Sequence, residues 1–210
     1  MIGGLVATGR RRKLAAGQYR AIVVVAAIFS AWVIYANLFT ISNPLVLGIL
    51  FVSGIYAIMF VAIGATPQAP DHIPFYDIVL SLLSLASGTF FYVNATQIAD
   101  RISLLDPFTP AQLFFGITLL LLTLEATRRT TGLGLTVVVV AFLAYNWFGH
   151  LLPPPFGHGV DEFTYVLDIL VFTTDGIFGV PIQVVATYVF LFVMFGTFLS
   201  KAGGGEFFFN

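Results

Sequence analysis

Ionisable side chains are scarce in this sequence, so each one stands out against an apolar background. In "LLTLEATRRTTG", Glu125 precedes Arg128 and Arg129 by three and four positions, so on a helix all three share a face and can form ion pairs. A charge at mid-bilayer costs about 2.5–3.5 kcal/mol, and three charges placed together therefore mark a membrane edge. Asp168 and Asp175 flank an interrupted apolar stretch. Acids held at membrane depth are the groups from which proton or cation relays are built. The same two acids at an outer surface need no such role, and the sequence leaves both readings open. His150 and His158, in "FGHLLPPPFGHG", could begin a metal site with Asp161 or Glu162 as a further ligand. Zinc, however, wants three or four ligands at recognisable spacing, and a proline-rich loop usually just stiffens the exit of a helix, so no metal is expected. The chain has no cysteine, which removes disulfides, thiolate metal sites and a cysteine nucleophile. Walker loops, zinc-binding helix motifs and nucleophile elbows are also absent. No constellation for enzymatic chemistry is present.

The elements that must carry these residues follow from composition. Hydrophobic residues make up 59% of the 210 positions and charged residues 9%, with a mean hydropathy of +0.98. A soluble domain carries about a quarter charged residues, so this chain cannot clothe a globular surface and lipid must solvate most of it. The fold class is all-α, a polytopic membrane protein of about six spans. Charge-free stretches between polar or proline-marked breaks place them at about 21–41, 45–64, 78–98, 111–124, 133–151 and 181–199. Each approaches the roughly 20 residues needed to cross a bilayer, and the fourth does so once 109–127 are included. The segment 164–200 is too long for one crossing and is broken by Thr173, Thr174, Asp175, Gly176, Gly179 and Pro181. It reads as a partly amphipathic helix to about Phe172, a break, and the last span. A plain surface loop in place of the broken segment is the other reading.

Basic residues set the orientation. With the N-terminus in the cytoplasm, the inner side holds Arg10, Arg11, Arg12, Lys13, Arg20, Arg128, Arg129 and Lys201, and the outer side holds only Arg101. That asymmetry obeys the positive-inside rule and calls for an even number of crossings before Lys201. His72 then falls inside while His150 and His158 fall outside, which separates the histidines further. Net charge is −1, so no global field would attract nucleic acid. The basic start precedes a full-length apolar span and reads as an anchor, not a cleaved signal peptide.

Three strings resemble the membrane component of TRAP transporters, the tripartite ATP-independent periplasmic transporters. They are "LEATRRTTG" at 124–132, "YNWFGHLLP" at 145–153 and "TTDGIFGVPIQVVATYVFLFVMFGTFLSKAGGGEFF" at 173–208. The similarity is closest to the fused small-plus-large permeases of the TAXI subclass. Residues before 100 match only in general shape, through a basic start, a tight hairpin and a Pro-rich loop before "FYD". The resemblance implies a secondary transporter of a bacterial or archaeal inner membrane that imports an organic acid delivered by a periplasmic substrate-binding protein. It also implies a basic cytoplasmic segment at 1–20, a scaffold of three spans at 21–110, and further spans with the start of the transport part at 111–210. Family members hold ion and substrate in Gly/Ser-rich re-entrant hairpins, of which this sequence has none. The expectation is thus an N-terminal portion with no cofactor of its own, the coupling ion (sodium in this family) being bound by the remainder of the permease. Asp161, Glu162 and then Asp175 are the expected docking residues for the binding protein, as outer-side acids that would steer a partner by charge. Arg128 and Arg129 are expected to serve topology and lipid contact. The rival reading is a self-contained membrane scaffold or assembly subunit without a transport pathway.

Overall fold

The computed structural model describes residues 8–40, 43–160 and 162–203. Six of its helices are long and apolar enough to cross a bilayer, with a shorter helix packed among them. Among the described residues there is no β-strand, only an isolated antiparallel bridge between Arg11 and Ile63. The chain is an all-α, multi-pass membrane protein.

Helix α1, Ala16–Tyr35, continues through a wider π-turn at Ala36–Thr40. Its start lies five residues before the expected span, because Arg20 sits inside the helix. A long arginine stem can lie along apolar surface while its guanidinium reaches water. Helix α2, Pro44–Ala62, begins where Asn43 Oδ1 accepts from the Leu45 amide at 3.0 Å, with proline at the first helical position. Helix α3 spans Phe75–Val93 and a short α4 spans Ala95–Asp100. The third span therefore ends earlier than expected, at Asn94, whose side-chain amide donates to the Phe90 carbonyl.

Helix α5, Pro110–Thr131, opens on a capping box. The Gln112 amide donates to Thr109 Oγ1, and the Thr109 amide donates to the Gln112 side chain. It ends at Gly132, whose φ of 89° is open to glycine and costly for other residues. Helix α6, Leu133–Phe148, follows directly and closes in a 3-10 turn, Gly149–Leu151. The broken segment is helical: α7 runs Phe163–Leu167 and on through a π-turn, Asp168–Phe172. The last span, α8, runs Val180–Lys201, with a π-turn at Val185–Val189.

Helix α2 is apolar over its whole circumference and is the most enclosed of the spans, with 67% of its most apolar stretch buried, against 11% for α1, 11% for α6 and 6% for α8. A helix hydrophobic all round belongs at the centre of a bundle or in lipid; α2 takes the centre and α8 faces outward. The main core joins Ile49, Phe51 and Val52 of α2 to Phe91, Leu119, Leu167, Val171, Phe172 and Phe178. It thus spans both sides of the 110/111 division. Gly88 on α3 lies so close to α2 that an added Cβ would stand 2.8 Å from the Ser53 Cβ. Gly88→Ala is therefore expected to cost about 1–3 kcal/mol of stability through overpacking. Gly17→Ala, in open space at the start of α1, should be neutral or slightly stabilising. Thermal unfolding in detergent compares the two, and equal melting temperatures would refute the close α2–α3 contact.

Candidate functional site

The six crossings put the N-terminal arginines, the α2–α3 loop and the end of α5 at one face of the bundle, here the near end. Residues 94–110, 149–160 and 173–179, with the start of α7, gather at the opposite, far end. Each end holds a cluster of charges.

At the near end the chain before α1 lies across the helix termini. The Gly9 amide donates to the Arg129 carbonyl at 2.7 Å, the Arg12 amide to Ala62 at 2.9 Å, and the Gly64 amide to Arg10 at 2.9 Å. This path delivers Arg12 beneath α2, where Nη1 donates to the Phe60 and Val61 carbonyls and Nη2 pairs with Asp77 Oδ2. Asp77 is fully buried and also faces Arg129 Nη2, 2.7 Å from its Oδ1. Arg129 in turn donates from Nε to Glu125 at 2.7 Å and from Nη1 to the Ile63 carbonyl at 3.0 Å. The last carbonyls of a helix lack intrahelical partners and carry partial negative charge; here two guanidinium groups cover those of α2. Arg128 binds Glu125 with two nitrogens, both at 2.7 Å, and reaches the Ala65 carbonyl.

The expected Glu125–Arg128–Arg129 pairing is present. Lipid contact by Arg129 is not, because its side chain is 1% exposed and sealed between α2 and α3. The sequence reading counted Arg12 only toward topology and missed its pairing with Asp77. The available signal was an acid in the first turn of an apolar span, in "FYD", which demands a buried cationic partner.

At the far end Arg101 pairs with Asp168 on α7, and both side chains are at least nine-tenths buried. Arg101 also donates from Nη1 to the Asp106 carbonyl at 3.0 Å and lies over the Phe108 ring, 4.2 Å from its centre. The second oxygen of Asp168 accepts the Leu104 amide at 2.8 Å. Leu104 has a φ of 69°, a left-handed conformation that a branched side chain adopts only when its surroundings hold it there. Asp168 thus fastens the loop between α4 and α5 from both sides. Phe172, one turn further along, packs on Phe91 and Phe108 and against Gly116 of α5. Gly116 is six residues into α5, about 9 Å along its axis, so α7 lies across the far-end layer of the bundle.

Beside this fastening lies a cavity of about 780 Å³, lined by Arg101, Asp106, Glu162, Tyr165 and Asp168 together with apolar residues of the 104–108 loop. Its rim exposes Leu104, Leu105 and Val160. Of the expected docking residues, Glu162 is exposed and lines the cavity. Asp175 is exposed in the turn before α8, with its amide bonded to Thr173 Oγ1 at 3.2 Å, and does not line the cavity. Asp161 lies outside the described residues. His158 sits against the end of α6, Nε2 lying 2.9 Å from the Tyr145 carbonyl and Nδ1 2.6 Å from that of Gly159. Trp147 packs on Phe163, joining the end of α6 to the start of α7.

No protein-family model matches this sequence, and neither the curated proteins nor the solved structures include a match.

Proposed function

We propose that the chain is the scaffold-bearing portion of a TRAP-type permease, importing an organic acid with a periplasmic substrate-binding protein that docks at the far end. By the positive-inside rule the near end, with its arginine cluster, faces the cytoplasm and the far end faces outward. The observation that carries the reading is the far-end cavity. It combines an apolar rim with the exposed carboxylates of Asp106 and Glu162. The basic group beside them, Arg101, is spent on Asp168. A surface of that kind attracts a partner carrying basic and apolar side chains, and complementary charge accelerates such encounters. The fastening by Asp168 keeps the surface in one shape, so docking need not first order the loop.

The three strings that carry the resemblance fall on connected parts of this architecture. They are the end of α5 with its Gly132 cap, the end of α6, and the turn leading into α8 with α8 itself, the last residues of the third string lying outside the described residues. Helix α8 leaves most of its surface uncovered, which suits a boundary with the moving transport part. The reading assigns substrate and coupling ion to the Gly/Ser-rich hairpins of that part, with sodium as the ion.

Charge reversal tests the docking surface. In the complete permease, Glu162→Lys with Asp175→Lys is expected to lower binding-protein-dependent uptake about tenfold at low salt, with the difference narrowing at high salt as the charges are screened. Unchanged uptake, with the double variant properly inserted, would discard charge-steered docking at the far end.

The second reading, a self-contained scaffold, draws on the near-end network, which ties α2, α3 and α5 together. Uptake by the complete permease reconstituted with its binding protein separates the two.

A further inference from the structure

The near end sorts its cations into two groups. Arg10, Arg12, Arg128 and Arg129 each hold a carboxylate. The side chains of Arg11, Lys13, Arg20 and Lys201 hold none among the described residues, and all four are exposed; the Lys13 amide, not its ammonium, donates to Asp71 Oδ1 at 3.1 Å. Arg11, Lys13 and Arg20 sit together in the chain, bracketing the point where α1 begins at Ala16. Lys13 and Arg11 precede that point by three and five residues, and Arg20 follows it by four, about 6 Å along the axis. The helix they introduce is among the least covered in the bundle. Val23, Val24, Val25 and Ile28, on its first turns, are each about half exposed or more. Cationic groups are thus placed directly beside an apolar face that the rest of the bundle leaves largely uncovered.

We infer that Arg11, Lys13 and Arg20 form a binding site for an anionic phospholipid, the phosphodiester lying among the three cations and the acyl chains along the outer face of α1. The bonds of Arg12 to α2 and Asp77 hold Arg11 and Lys13 on either side of a fixed point. The site is therefore presented by a backbone anchored in the bundle and not by a loose tail. Each cation near an anionic surface contributes about 1 kcal/mol, which corresponds to about fivefold in affinity. Arg10, paired with Asp71, contributes much less because its charge is already matched.

Native mass spectrometry of the whole protein, purified in detergent and titrated with phosphatidylglycerol or phosphatidylcholine, tests this. Phosphatidylglycerol should be retained in preference, and Arg11→Gln, Lys13→Gln and Arg20→Gln should each weaken its retention about fivefold. Arg10→Gln should leave retention within a factor of two. Equal losses from Arg10→Gln would mean a diffuse charge effect and would overturn the site, as would equal retention of the two lipids. Competition by millimolar inorganic phosphate that empties the site as fully as added lipid would identify a soluble anion as the occupant and overturn the assignment to lipid. The three side chains have no folding partner among the described residues, so melting temperatures of the variants should match the parent. A variant that melts early is replaced by the corresponding Arg11→Lys or Arg20→Lys change, which should keep lipid retention.

Discussion

Asp77→Asn is expected to destabilise the bundle by about 3–5 kcal/mol, because it leaves two buried guanidinium groups facing one neutral amide. Arg12 and Arg129 both reach Asp77, and no side chain of the three is more than 1% exposed. Water cannot replace the lost carboxylate without opening the helix ends. Arg129 retains Glu125, so Arg12 bears most of the loss. Its other bonds, to the Phe60, Val61 and Pro70 carbonyls, satisfy donors without neutralising charge. The double variant Arg12→Met with Asp77→Asn removes that stranded cation and should be less damaging than the sum of its parts, a coupling of about 1–3 kcal/mol. Denaturation followed by circular dichroism in mixed micelles measures both effects. A single-variant loss below about 1 kcal/mol would mean that the network is wet or unformed.

Asp168→Asn should act at the other end and more locally, at about 2–3 kcal/mol for the charge-assisted bonds it weakens. It disrupts the pairing with Arg101 and the acceptor for the Leu104 amide together. The unusual backbone at Leu104 then has nothing to hold it, and the loop between α4 and α5 should open. Amide exchange across 102–106 should quicken about 30- to 150-fold, the same energy expressed as an opening equilibrium, while exchange in α2 stays unchanged. Under the permease reading proposed above, the docking surface would lose its order too, and uptake should fall even though Glu162 and Asp175 are intact. Unaltered exchange at Leu104 would show that Asp168 does not fasten this loop.

The two clusters were unequally legible in the sequence. Glu125 with Arg128 and Arg129 could be read directly, since three- and four-residue spacing on a helix puts side chains on one face. The wider network could not. Arg12 meets Asp77 across 65 positions of sequence and Arg101 meets Asp168 across 67, and no local period reports such a pairing. Asp168 could be read as a relay acid at depth or as a surface residue. In the structure its carboxylate is buried and paired with Arg101 at the far-end layer of the bundle, so it is not an exposed surface acid. The segment 164–180 was open for a related reason. Whether a short apolar helix lies on a bundle or within it depends on which neighbours expose a matching hollow, and that hollow is made by Gly116 and Phe91 on other helices.

Sequence alone determined that this chain lives in a bilayer, how many times it can cross, and which ends of its helices carry the basic residues. Those properties sum along the chain: each apolar residue adds its transfer energy and each charge its cost of burial, whatever the neighbours do. Tertiary structure alone decided which cations are consumed in holding helices together and which remain free, because an ion pair needs two groups brought within about 4 Å by helices that converge from distant positions. In sequence, eight of the nine basic residues read as one topology signal, with Arg101 the exception. Folding made three of the nine, Arg12, Arg101 and Arg129, into buried fasteners.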